Sequence, residues 1–480
     1  MTAPARLKRD VGAFQFFAFA FGAVVGVGWA VVLGDWLRQA GPLGAVLGLA
    51  SGGLFIILIG LCYGEIAALI PATGGEMAYA FEVFGERTGF IVGWMLAFIY
   101  VVVAGFEAIS IGWILGALWP GIEGPVLYTS LGGEVRAGTL ALGLLGMAWL
   151  SWVNYRGVKA SARAQNVLVA VLLVMAVVFI VAGFARGDTA NLRPWFQRSA
   201  SGSIWPGVLT LFMTASFWFG GFNVVPTMIE EKSAGTSYAR VGVMIVLSIV
   251  VGIVFKTSVV LSASMTMPWE RLTTMNIPAA AAFDAALGSR VLGKMVLLTA
   301  LLALLSTWNA MMVSGSRILF ALGRARFILP GFGTVHPRFG SPSTAILFSG
   351  GAASLVTLLG RKAILPIVTS SATCLALGYI ITCYAVVRLR RTRPDAPRPF
   401  KVPGGLVTMC IAMASAVFSL GLSLYQPYVD AKGAIPLEWV MLALWLALGA
   451  AAWGAARGMR GGLDQAERRR IIVGSEPTGG

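Results

Sequence analysis

Charge is scarce along this chain. Asp, Glu, Lys and Arg make up 12% of its 480 residues, against 58% hydrophobic. That is too little polar surface for a water-soluble domain of this size, so lipid has to be part of its solvent. Histidine is nearly absent: His336 is the single one and falls in a polar stretch, which excludes a histidine-built metal centre or catalytic triad. The four cysteines, Cys62, Cys374, Cys383 and Cys410, each fall inside an apolar segment. They read as free, buried thiols rather than a disulfide framework. Acid is scarcer than base, 20 residues against 36, for a net charge of +16. The basic residues stand in short clusters between apolar runs, with no aromatic-interleaved basic face. The excess therefore reports membrane topology, not a nucleic-acid partner. No catalytic cluster is visible, and an enzyme is not expected.

Long apolar runs are what the chain has in abundance. Roughly 20 apolar residues cross about 30 Å of hydrocarbon. On that rule twelve spans are predicted: 12–37, 44–70, 88–118, 138–154, 163–185, 205–228, 240–264, 290–322, 343–360, 363–388, 405–425 and 436–457. With the N-terminus inside, Lys and Arg favour the cytoplasmic loops by about two to one, which places both termini in the cytoplasm. The first run, from Val11, is too long for a cleaved leader and leads directly into further spans. Residues 77–85 are expected to form a short interfacial helix and 279–287 an external one. The tail beyond Gly461 is expected to be polar and mobile.

Two spans are built to break. The first contains Gly22-Ala23-Val24-Val25-Gly26-Val27-Gly28-Trp29, and each glycine weakens a helix by about 1 kcal/mol relative to alanine. The sixth contains Phe219-Gly220-Gly221-Phe222-Asn223-Val224-Val225-Pro226, where Pro226 also removes a backbone donor. Glycines in membrane helices often serve close packing alone. A pair of interrupted helices at corresponding positions instead points to a midplane site, where helix ends and free carbonyls meet a solute or an ion.

These residues, taken in order with three further stretches, resemble the amino acid–polyamine–organocation permeases. The stretches are Tyr63-Gly64-Glu65 through Pro71-Ala72-Thr73-Gly74-Gly75-Glu76, Gly221 to Glu231, and Ser316-Arg317 through Leu329-Pro330. The resemblance implies an all-α integral membrane protein of about twelve transmembrane helices. It implies a five-plus-five inverted repeat like that of the sodium-coupled leucine transporter, with helices 1 and 6 discontinuous and two extra C-terminal helices. The divisions would be 1–11 (cytoplasmic), 12–185 and 205–388 (the two repeats), 405–457 (helices 11 and 12) and 458–480 (cytoplasmic tail). The implied function is alternating-access transport of amino acids or related amines across the cytoplasmic membrane, by symport or exchange. A membrane sensor that binds without transport is the alternative of another class.

The resemblance also implies a site. A substrate carboxylate would meet the backbone N–H groups of Val27 and Gly28 beside Gly26. Its amino group would meet carbonyls near Val24 and of Phe217 or Phe219, with Phe217, Trp218 and Phe222 as aromatic walls. No cofactor is implied other than a coupling ion. Helix 5 carries Leu172 where some proton-linked relatives have lysine, and Asn223 stands where another has glutamate. Helix 8 carries Ala303-Leu304-Leu305-Ser306-Thr307. In sodium-coupled relatives this spacing binds the ion, so Ala303, Ser306 and Thr307 with carbonyls of Gly22 and Val25 form a candidate sodium site. Adjacent hydroxyls can instead bond back to their own helix. Glu107 lies well inside helix 3, and an intramembrane carboxylate points to function by default. It would hold a substrate amine, or pair with Lys256 of helix 7. Glu65 and Arg317, near the inner ends of their helices, suggest inner-gate or packing roles.

Overall fold

The computed structural model describes residues 9–473 except 120, 276, 289 and 432. The first span is made of α1 (Ala13–Val25), α2 (Gly28–Val31) and the opening turns of α3 (Leu33–Leu69). Within α3 the chain turns at Gly41, whose φ of 71° suits glycine, and Pro42 then opens the second span, where its missing N–H is no loss. Next comes α4 (Glu76–Phe84), the short helix expected at 77–85. Met77, Tyr79 and Phe81 bury it against the bundle.

The third to fifth spans are α5 (Glu86–Leu118), α6 (Ala137–Tyr155) and α7 (Val158–Arg186). The sixth is split into α8 (Trp205–Trp218) and α9 (Val224–Thr227), and α10 (Tyr238–Thr266) is the seventh. After α11 (Trp269–Leu272), a helix stands where one was expected at 279–287, as α12 (Pro278–Leu287). The remaining spans are α13 (Arg290–Arg324), α14 (Ser343–Thr357), α15 (Ile364–Thr392), α16 (Gly405–Asp430) and α17 (Leu437–Ala455). Two short helices, α18 (Arg457–Arg460) and α19 (Gln465–Val473), follow. Ten helices among the described residues are long and apolar enough to cross a membrane. The split α8–α9 segment and the shorter α14 bring the spans to about twelve.

Packing sorts these helices into an inner and an outer set. The first span lies against α7, α10 and α13, and α8 lies against α3 and α15. The outer helices turn apolar side chains outward, among them Val167, Val174 and Val181 on α7 and Leu444 and Leu448 on α17. Lipid accepts such a face because every backbone group behind it is bonded within its helix. Cys62, Cys374 and Cys383 are buried free thiols, whereas Cys410 faces outward from α16.

Two segments depart from expectation. Between the third and fourth spans, β1 (Val126–Ser130) pairs antiparallel with β2 (Gly133–Arg136). Leu131 and Gly132 turn the hairpin with φ of 51° and 74°, the two-residue turn whose twist suits paired strands. The tail expected to be mobile is instead helical over Gln465–Val473. There Arg468 pairs with Glu86, and Arg469 and Arg393 pair with Glu82. Residues 474–480 of that tail lie outside the described residues.

Candidate substrate site

The two breaks cross one another at the centre of the bundle. α1 ends at Val25, and Gly26 leaves the helix with φ 54° and ψ −165°. α8 ends at Trp218, and Gly221 turns with φ 93°. A Cβ on Gly221 would stand 2.7 Å from the Ala23 carbonyl carbon, and one on Gly28 would stand 2.4 Å from the Trp218 ring. Glycine at both places lets one broken helix touch the other. The Asn223 carboxamide closes the second break: its Oδ1 accepts from Gly221 N–H at 3.1 Å, and its Nδ2 donates to the Tyr100 hydroxyl at 3.1 Å.

A cavity opens at this crossing. Its walls include Val24, Gly26, Val27, Gly28, Glu107, Phe217 and Trp218, with Tyr100, Val103, Met311 and Leu375 beyond them. Phe219 and Phe222 are not on its surface. Phe222 stacks on Tyr379 at 5.7 Å, and Phe219 is fully buried against α3 and α10. Trp218 sits edge-on to Trp36 at 5.1 Å and to Phe217 at 5.0 Å. Those rings cover the cavity on the side of the outer half of the first span. Glu107 is 1% exposed, and its Oε2 has no hydrogen-bond partner among the described residues. The Cβ direction of Gly26 runs past Thr307 Oγ1 at 3.4 Å to Glu107 Oε1 at 3.9 Å. The carboxylate therefore borders the first break.

Lys256 lies in the same cavity wall, but it does not bridge to Glu107. Its Nζ donates to the Val24 carbonyl at 2.8 Å and to the Trp218 carbonyl. The Val24 carbonyl, expected to receive a substrate amine, thus already holds a lysine. The Phe217 carbonyl accepts from Gly220 N–H at 3.1 Å.

The candidate sodium site is crowded by hydrogen-bond donors. Thr307 Oγ1 donates to the Gly22 carbonyl at 2.6 Å and to the Ala303 carbonyl at 3.2 Å. Ser306 Oγ accepts from Gln165 Nε2 at 2.6 Å. That same amide nitrogen donates to the Ala18 carbonyl at 3.2 Å and would lie 2.4 Å from a Cβ on Gly22. Val25 remains at the cavity wall. A hard cation needs converging oxygen acceptors; here the Ser306 hydroxyl is engaged by the Gln165 amide and the Gly22 carbonyl by Thr307. The amide chain continues, with Asn309 Nδ2 donating to Gln165 Oε1 at 3.2 Å and Asn154 Nδ2 to Asn309 Oδ1 at 3.1 Å. Leu172, on the same helix as Gln165, is fully buried.

At the end of the bundle near Val11, the segment before α1 is tied to the segment after α9. Val11 N–H donates to the Glu231 carbonyl and Ser233 N–H to the Val11 carbonyl, both at 2.9 Å. Arg317 Nε meets Glu231 Oε1 at 2.9 Å with both side chains buried. Glu230 accepts from Thr73 N–H at 2.8 Å and pairs with Arg324 at 3.0 Å. Burial raises the Glu230 pKa, but the Arg324 guanidinium and the Thr73 bonds outweigh it and hold the group below its ordinary 4.5. Glu65 accepts from Val402 N–H at 2.7 Å and faces Arg390 and Arg398. Glu65 and Arg317 thus each lie in an ion-pair network and not on the cavity.

A family profile described as amino acid permease matches residues 11–451. The chain is 27% identical to a branched-chain amino acid permease of Bacillus subtilis, over 86% of this chain and 87% of that one. It is 24% identical to a methylthioribose transporter of the same organism, over 92% of each. It is 26% identical to the human large neutral amino acids transporter small subunit 2, over 82% of this chain and 72% of that one.

Proposed function

This chain belongs to the amino acid permease family, and from that premise we propose that it moves amino acids or related amines across the cytoplasmic membrane by alternating access. Both termini lie on the cytoplasmic side in this reading, and the broken spans stand at matching places in two inverted five-helix repeats. One observation supports the reading most. Two interrupted helices meet at a cavity that also presents an unpartnered carboxylate, Glu107. Helix interruptions inside a membrane belong where a polar solute is held. The substrate carboxylate meets the N–H groups of Val27 and Gly28, and its amino group meets Glu107. The apolar walls at Val103, Met311, Leu375 and Phe217 favour neutral side chains, in keeping with the names of the branched-chain and large neutral relatives.

Coupling is the finer question. Ala303, Ser306 and Thr307 offered a candidate sodium site, with symport and exchange both open; the Gln165 amide on Ser306 favours transport that is independent of sodium. Uptake into proteoliposomes tests both. Labelled leucine should accumulate faster when the vesicles are preloaded with unlabelled amino acid, and replacing external sodium by choline should leave the rate unchanged. A rate that collapses in choline would restore the cation site. Binding without flux would favour a membrane sensor, and flux of the thio-sugar but of no amino acid would sink the amino acid reading.

A further inference from the structure

One cationic side chain reaches the crossing of the helix breaks, and it comes from neither broken span. Lys256 stands on α10 four residues after Gly252, on the same helical face. A Cβ on Gly252 would lie 2.5 Å from Val24 Cγ1, so glycine brings α10 against the end of α1. One turn later lysine delivers a charge to the carbonyls that the breaks leave free. Nζ donates to Val24 in the last turn of α1 and to Trp218 at the end of α8. The rings of Trp218 and Phe219 lie 5.7 and 5.1 Å from it, surroundings that suit a cation. An ammonium has three donors. The two carbonyls engage two of them, and Lys256 borders the cavity.

We propose that Lys256 is the resident cation of this site: it ties the two broken helices together and gives its remaining N–H to the carboxylate of the bound substrate. The proposal rests on the amino acid reading above. It makes a dissolved cation unnecessary at this end of the site. Because Val24 and Trp218 already serve lysine, the substrate amine is left to Glu107, whose Oε2 is otherwise unpartnered among the described residues. The site then offers one basic and one acidic side chain and selects zwitterions with a free carboxylate over amides and simple amines.

The test compares leucine, leucinamide and isoamylamine by calorimetric titration of purified full-length protein. Wild type should prefer leucine over leucinamide by about tenfold or more, the scale of one charge-assisted hydrogen bond. Lys256→Met should weaken leucine by about that factor more than it weakens leucinamide, so that the preference disappears. Lys256→Arg should keep part of the preference, and Lys256→Gln serves in place of methionine if the apolar variant does not fold. A methionine or glutamine variant with the full carboxylate preference overturns the proposal. So does a methionine variant that gains affinity for amines while keeping that preference, because lysine would then only plug the amine site. Wild type that binds none of the standard amino acids overturns the reading beneath the proposal instead.

Discussion

Gly28 and Gly221 permit contact between two backbones, but the chemistry around the breaks rests on three polar side chains that came from elsewhere in the fold. Glu107 borders Gly26 with one oxygen unpartnered. Glu107→Gln keeps the shape and removes the charge, and it should weaken amino acid binding by about tenfold, as loss of a charge-assisted bond does. Unchanged affinity across a titration would return this residue to a structural role. Gln165 engages one of the hydroxyls expected to hold a cation, that of Ser306. Gln165→Ala frees Ser306 and should give the protein a sodium-dependent gain in thermal stability that wild type lacks. A variant equally indifferent to sodium would mean that these hydroxyls make no cation site even when released. The breaks themselves were legible, because glycine and Pro226 in an apolar run have few other reasons to occur together. Lys256 was not legible. A lone lysine in a membrane helix is naturally paired with the nearest intramembrane carboxylate, and no local pattern shows that it reaches Val24, 232 residues away in sequence. The one signal was Gly252 on the same face, a close-approach glycine one turn before a charge.

At the scale of elements, the inner seal joins the residues before α1 to those after α9. Arg317 and Glu231 form its buried ion pair, and removing one partner of such a pair costs about 3–5 kcal/mol because the other is left charged and unpaired. Glu231→Met and Arg317→Met should each lower the midpoint of thermal unfolding more than the double substitution does. A double variant that simply sums the two losses would contradict a coupled pair. A second device is α19, which Arg469 anchors to Glu82 and Arg468 to Glu86. Burial alone would raise the Glu82 pKa, but hydrogen bonds from Arg469 and Arg393 outweigh it and leave the group below its ordinary 4.5. A depressed carboxylate stabilises fully above its unfolded pKa and loses that contribution as pH falls through its folded one. Amide exchange in residues 465–473 should therefore stay slow from neutral pH down to about pH 5 and accelerate only below the ordinary carboxylate range. Release near pH 6 would count against this anchor. The spanning helices were legible from length and hydropathy, whereas α19 was not. Its sequence has no apolar stripe, and its partners lie 382 and 387 residues away.

Over the whole molecule, the ion-paired seal lies on one side of the two breaks and the aromatic rings of Trp36, Phe217 and Trp218 lie on the other. Alternating access requires each cover to part in turn while the crossing of the breaks persists. The buried cluster at that crossing was assembled from α1, α5, α8 and α10, which is why single-helix patterns located the breaks but not the full set of side chains. The most direct test of the account is a thermal-shift screen of purified protein against the standard amino acids, in sodium and in potassium chloride, for wild type and Gly26→Leu. A ligand that binds only the folded protein stabilises it by about 2.7 kcal/mol at a hundred times its Kd. Leucine at Gly26 fills the cavity and forces a side chain into a left-handed φ. The account predicts a stabilising shift in wild type with neutral amino acids, equal in the two salts and absent from a folded, membrane-inserted Gly26→Leu protein. No shift with any amino acid, or the same shift in the variant, would contradict a substrate site at the crossing of the broken helices.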